Sequence, residues 1–358
     1  MSLRNKRTTF SHLDGRAQGR TIETLGAAAP PVFSAQPTSA MKTTFKSYAL
    51  GLGLGLGICG ASLAAQPLLT PDQLQPLLQQ ADVRLIDIRD PKAFEAGHID
   101  KAANAPYGKW RGPATNPGEL PDTAKLVALV QSLGLTPSTH AIVISSGVDA
   151  TDFGAMARVY WTLKSLGLKE LSIVNGGMKA WEAAGKPVGK TQTQIVASNY
   201  APTFDANWLA TQQDVGKHID LSNAALVDSR PDAFYQGKTR APAAKLSGTL
   251  PGAQQLDFNQ WFLPGTSQFV DAAKAREIAN KIQRQQGQDM VAFCNTGHWA
   301  ATDWFGLSEM AGLPNVKLYA GSMVDWTQSK DAPRMANQPG RAQSLAYDAQ
   351  KWWEKNFK

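Results

Sequence analysis

The chain has 358 residues, 43% hydrophobic and 18% charged, a length suited to two domains and a composition too apolar for a disordered protein. Two cysteines exclude a disulfide-built scaffold and any four-cysteine zinc site. The formal net charge of +7 would suggest nucleic-acid binding only if it lay in the folded part, but the first 65 residues hold seven of the 36 Lys and Arg and two of the 29 Asp and Glu, so the remainder is close to neutral and nucleic acid is not expected as a partner.

Residues 1–40 are rich in Arg, Ser, Thr, Ala and Pro without apolar periodicity, and read as a disordered leader or a mis-assigned start ahead of Met41. Residues 41–65 read as a secretory signal peptide. Lys42 and Lys46 form its positive end, Tyr48 to Cys59 its apolar stretch, and Ser62, Ala64 and Ala65 the small residues before cleavage. That apolar stretch is about a dozen residues against the roughly 20 of a membrane span, so the expectation is a periplasmic protein with no stable membrane anchor after processing. Cys59 leaves with the signal and Cys294 becomes the one remaining thiol.

The rest repeats itself after about 140 residues. Leu85-Ile86-Asp87-Ile88-Arg89 returns as Leu226-Val227-Asp228-Ser229-Arg230, each followed by Pro, Ala-Phe and Gly, and each unit closes on a Gly-rich turn and a Trp, at Gly176 to Trp181 and Gly321 to Trp326. In the first unit, 66–188, the pattern predicts strands over 83–88, 141–144 and 171–174, and helices over 121–133 and 155–166. Residues 189–206 read as a linker. The second unit, 207–335, predicts strands over 225–227, 290–293 and 316–319, with helices over 272–285 and 300–311. The extension 336–358 reads as a surface helix from Ala342. Strands alternating with helices predict an α/β fold, a mainly parallel sheet flanked by helices in each unit, with ligands at the carboxyl ends of strands.

Cys294 stands at such an end. It is the first residue past a buried strand, followed by Asn295, Thr296, Gly297, His298, Trp299 and Ala300, where a helix begins. Gly297 lets the loop curl, and inward-turned amides with a helix start favour an anion, so the expectation is a thiolate at the mouth of an amide ring. A thiolate so placed can attack the outer sulfur of a donor and hand it on, with the amides of residues 295–300 holding the charge. No metal or organic cofactor is expected.

These motifs together resemble the tandem rhodanese-type sulfurtransferases, the thiosulfate and 3-mercaptopyruvate sulfurtransferase family in its secreted bacterial form. The resemblance covers nearly all of residues 68–335 and includes Gly97-His98-Ile99. It implies two tandem rhodanese-like domains, a first without catalytic cysteine and a second in which Cys294 carries a persulfide. It also places Arg230 at the family position whose arginine faces the pocket, where a planar fork suits a thiosulfate-like anion; a structural pairing with a carboxylate is the alternative. The first unit offers Ser145-Ser146-Gly147-Val148-Asp149 opposite the cysteine loop, and either Ser145 or Asp149 could replace the cysteine.

The sequence departs from the family in places. Thiosulfate-preferring members carry basic residues directly after the cysteine, where this chain has Asn295 and Thr296. His298 could touch a donor or pack the loop, and Trp299 is expected to wall the pocket. Lys238, Arg240 and Lys245 lie in an insertion, 238–247, absent from the first unit, and read as a solvated basic loop. The partners expected are a small sulfur donor and a nucleophilic acceptor; a non-turnover sulfane-sulfur carrier or binding module is the alternative. A cysteine phosphatase is disfavoured because Ala300 stands six residues after Cys294, where an arginine would be needed. A disulfide oxidoreductase is disfavoured because there is no resolving thiol.

Overall fold

The computed structural model describes residues 65–330 and 333–357; the leader and signal readings, Ala65 apart, fall outside them. The first half holds strands β1 (Leu68–Leu69), β2 (Val83–Asp87), β3 (Ala103–Asn104), β4 (His140–Ile144) and β5 (Leu171–Val174). They form a sheet of order β1-β5-β4-β2-β3 in which every pairing is parallel. The second half holds β6 (Ala224–Asp228), β7 (Gln254–Gln255), β8 (Asp289–Phe293) and β9 (Val316–Leu318). Their order is β7-β6-β8-β9, again parallel throughout. Here Leu209 takes the place of β1 with a single parallel bridge to Leu318.

The central strands are buried because helices cover both faces, which is why they read as unbroken apolar runs. Residues Ala141 to Ile144 and Met290 to Phe293 are wholly enclosed. One large core runs between the two sheets and contains residues from both halves, including Val143, Ile173, Phe153, Trp161, Ala292, Trp304 and Phe305. Smaller cores lie on the outer face of each sheet, around Leu85, Ile142 and Trp181 and around Leu226, Val291 and Trp326. The element joining the halves is the helix Ala150–Ser165. It is buried on nearly all sides, as a helix enclosed in a core must be, and it packs along the helix Trp299–Trp304 that follows Cys294. Polar links reinforce that seam. Tyr160 donates to Glu309 at 2.8 Å, Lys164 reaches the same carboxylate at 3.0 Å, and Asn175 exchanges two bonds with the backbone of Phe269.

Three helices differ from expectation, that expected over 155–166 by starting at Ala150. The one predicted over 272–285 ends at Ala279, where the next amides, those of Lys281 and Ile282, turn to the i−3 carbonyls of Ile278 and Ala279 in place of helical i−4 partners. The one predicted over 300–311 is α-helical over Trp299–Trp304 and widens to a π-helix over Phe305–Met310. Gly306 there lies on the Trp261 ring, where any β-carbon would collide. The C-terminal segment is a helix, Arg341–Phe357, with Leu345, Trp352, Trp353 and Phe357 exposed. Among the described residues no helix is long and apolar enough to cross a membrane.

Candidate active site

β8 ends at Phe293, whose carbonyl accepts the Ser229 N–H at 2.9 Å, and Cys294 is the next residue. The Cys294 and Asn295 carbonyls accept the Met323 and Val324 amides, each at 3.0 Å. Ser322, with φ +55°, ties the two sides of the loop together. Its Oγ accepts the N–H of Cys294 and that of Gly297, each at 3.0 Å, and donates to the Tyr319 carbonyl at 2.8 Å. Gly297 sits at φ +66° against the Ala320 carbonyl, so the tight curl expected of it is present.

The thiol is not at a surface mouth. Cys294 is 1% exposed and joins the central core. Groups of the first half close on the loop: Gly118 is pressed against the Ala320 carbonyl and Gly321, and Arg158 lies on Gly297. Of the amides expected to form a ring, that of Gly297 is spent on Ser322. Those of Asn295, Thr296, His298 and Trp299 make no hydrogen bond to the protein among the described residues. With that of Ala300, which is likewise unbonded, five donors around the loop are left for an anion. Ala300 is fully buried at the helix start.

Arg230 is 2% exposed and compensated by Asp228. Its Nε donates to Oδ1 at 2.8 Å and its Nη2 to Oδ2 at 2.6 Å, with a further bond from Nη2 to the Gly248 carbonyl. Nη1 reaches the Asn295 side-chain oxygen at 3.5 Å. Arg89 makes the same set in the first half, to Asp87 and to the Gly97 carbonyl. The pair thus braces the strand end in both halves, with or without a cysteine nearby.

His298 is bound to the first half. The Thr151 carbonyl can only accept, so Nε2 carries the proton and donates to it at 2.7 Å, and Nδ1 accepts from the Tyr107 hydroxyl at 2.9 Å. Arg111 in turn donates to the Tyr107 oxygen at 2.9 Å. Burial, then the Arg111 charge, push the His298 pKa down from 6.5 to about 4, so the imidazole is neutral at neutral pH. Trp299 stacks flat on Phe258, ring centres 4.9 Å apart, with Phe234 at its edge. Of the insertion's cations, Lys238 pairs with Asp232 at 3.0 Å and Arg240 lies over the Tyr347 ring.

The first half carries a matching loop, and its backbone settles the register. The Ser145 and Ser146 carbonyls accept the Met178 and Lys179 amides, as Cys294 and Asn295 accept Met323 and Val324. Gly147 at φ +72° matches Gly297, and Gly177 at φ +59° matches Ser322. Ser145, not Asp149, therefore stands in the place of the cysteine. Its hydroxyl donates to Asp152 at 2.7 Å, and the other oxygen of that carboxylate accepts the Gly147 N–H at 2.5 Å. The loop is filled by an anion of its own chain.

Sequence reading missed Arg158, Tyr107 and Ser322. No local motif marks the first two, since they reach the site only through the packing of the halves. Ser322 could have been noticed as the residue replacing Gly177 in the repeat.

The rhodanese-like domain model matches residues 70–184 and again 211–329. A probable 3-mercaptopyruvate sulfurtransferase of Pseudomonas aeruginosa is 27% identical over 289 residues, 76% of this chain and 98% of that one. The sulfur carrier protein TtuD of Thermus thermophilus is 26% identical over 272 residues, 72% of this chain and 93% of its own. Among solved structures, that of SseA from Escherichia coli, a 3-mercaptopyruvate sulfotransferase, superposes with a TM-score of 0.62 at 21% identity, covering 72% of this chain and 99% of the other. With two parallel sheets, two matching strand-to-helix loops and a family match over more than half its length, the chain belongs to the rhodanese-like domain family, in tandem form.

Proposed function

We propose that this protein is a sulfurtransferase that moves a sulfane sulfur from a small donor, thiosulfate or 3-mercaptopyruvate, to cyanide or a thiol through a persulfide on Cys294. The observation that carries the reading is the position of the single described thiol, at the end of β8 in a loop with five unspent amides. The Sγ thiolate attacks the outer sulfur of thiosulfate, the S–S bond breaks, and sulfite leaves with the bonding pair. With 3-mercaptopyruvate the C–S bond breaks instead, and the departing enolate takes up a proton to become pyruvate. Cyanide carbon then attacks the outer persulfide sulfur, thiocyanate leaves, and the thiolate returns. The free amides of Asn295, Thr296, His298, Trp299 and Ala300 are the donors we assign to the negative charge of the persulfide. Trp299 and Phe258 form an apolar wall beside them.

The test is intact mass spectrometry before and after donor, with multiple-turnover thiocyanate release. Wild type should gain one sulfur atom and turn over, and Cys294→Ser should do neither. Wild type that never gains sulfur from either donor overturns the reading. The ratio of kcat/KM for the two donors assigns the substrate.

One second reading is a non-turnover sulfane-sulfur carrier; the Thermus relative is named a sulfur carrier protein. One stoichiometric persulfide without turnover on small acceptors supports it. We also propose export to the periplasm through residues 41–65. The mass of the chain recovered from a periplasmic fraction tests it: a species beginning near Gln66 supports export, and an intact chain confined to the cytoplasm overturns it.

A further inference from the structure

Among the described residues, Arg158 is a buried cation with no carboxylate partner. It sits in the middle of the helix Ala150–Ser165, in the half that has no thiol, and is fully enclosed. Its Nη2 donates to the Gly118 carbonyl at 2.9 Å and its Nη1 to the Gly297 carbonyl at 3.3 Å, while Nε has no partner. Its guanidinium carbon lies 5.1 Å from the centre of the Trp161 ring. Two carbonyl dipoles and a ring face do not replace the hydration of a full charge, and a buried cation calls for an anion.

Arg158 shares this seam electrostatically with Arg111 and Tyr107 from its own half and with His298 and Cys294 from the other. Arg111 is a cation. The Tyr107 phenol is pushed above its ordinary range by burial and stays neutral. His298 is neutral at neutral pH, which leaves a thiol as the group type there that ionises to an anion nearest neutrality. On the other side of the loop, the Arg230 charge is taken by Asp228, and the residues following the cysteine are uncharged. Gly297 has no side chain, and a β-carbon there would strike the Arg158 guanidinium, so the loop backbone and the guanidinium share one close contact.

We propose that Arg158 is a positioning residue that supplies the positive charge for the Cys294 thiolate and its persulfide, so that the half without a thiol contributes the counter-charge for the half that has one. This rests on Cys294 being the sulfur-bearing group, but it concerns the anion at that sulfur and is tested without any donor. The neutral loop after the cysteine then has a reason: the cation that other loops could carry is delivered across the seam.

The experiment is a pH titration of thiolate ultraviolet absorbance on the full chain, with Cys294→Ser as the background. Arg158→Met should move the midpoint upward by about one unit or more, so that the thiolate fraction near neutrality falls about tenfold. Arg158→Lys, which keeps the charge, should stay near wild type. A folded Arg158→Met that titrates like wild type overturns the proposal. If Arg158→Met does not fold, Arg158→Gln takes its place, and a folded Arg158→Gln that titrates like wild type overturns the proposal in the same way. A chain that shows the charge effect yet never gains sulfur from a donor would overturn the sulfurtransferase reading and leave the counter-charge in place.

Discussion

Ser145 occupies in the first half the position that Cys294 holds in the second, its carbonyl accepting the Met178 amide at 2.8 Å as that of Cys294 accepts the Met323 amide at 3.0 Å. The two loops differ in what fills them. Asp152 binds both the Ser145 hydroxyl and the Gly147 amide, so a charge already occupies the space an incoming anion would need. Ser145→Cys in a Cys294→Ser background is therefore expected to take up no sulfur from thiosulfate or 3-mercaptopyruvate. Intact mass measures this, and a gain of one sulfur atom would show that the thiol alone makes the site.

Gly297 is held between the Ala320 carbonyl and Arg158 at a positive φ. Gly297→Ala adds a methyl that neither neighbour can accommodate without shifting. A loss of about 1–3 kcal/mol is expected from the backbone term, together with a fall in sulfur transfer larger than the stability loss explains. Denaturant midpoints and steady-state rates on the same preparation check both.

Arg230 and Asp228 are buried together. Arg230→Met leaves the Asp228 carboxylate uncompensated and should cost about 3–5 kcal/mol. A measured unfolding free energy within a few tenths of wild type, with the sulfur-transfer rate lost, would mean that the arginine serves the substrate and not the strand end.

The imidazole of His298 makes stability depend on pH in a defined window. Its pKa in the fold, about 4, lies below the ordinary 6.5. Between those values the unfolded chain binds the extra proton and the folded chain does not, so the contribution is complete above pH 6.5 and is lost as pH falls toward 4. His298→Gln, which keeps a neutral side chain, should flatten the fall in stability across that window. Urea unfolding of both proteins at several pH values reads the difference, and parallel curves would remove His298 from the seam.

Much of the fold was legible because parallel strands buried on both faces are nearly continuous apolar runs, and because the chain states its pattern twice. The short strands Leu68–Leu69, Ala103–Asn104 and Gln254–Gln255 escaped for the opposite reason: two residues carry no period. Cys294 and Gly297 could be found from the strand–loop–helix order alone. Arg158 could not, since a lone arginine amid Met156, Val159 and Trp161 gives no sign that its helix crosses into the other half. The burial of Cys294 was equally hidden, because the residues that close on its loop, Gly118 and Arg158, are far away in the chain. The choice between Ser145 and Asp149 needed backbone hydrogen bonds, which sequence spacing does not contain.

The core between the sheets has no plane along which it could be divided. Phe153 stacks on Phe269 and meets Phe305 edge-on, so each half lends the other aromatic rings as well as cover. Expressed by itself, the cysteine-bearing half would expose to water a sheet of apolar rings meant for its sibling, and would aggregate or recruit another copy. A duplication fused in this way can give up chemistry in one member but cannot give up the member.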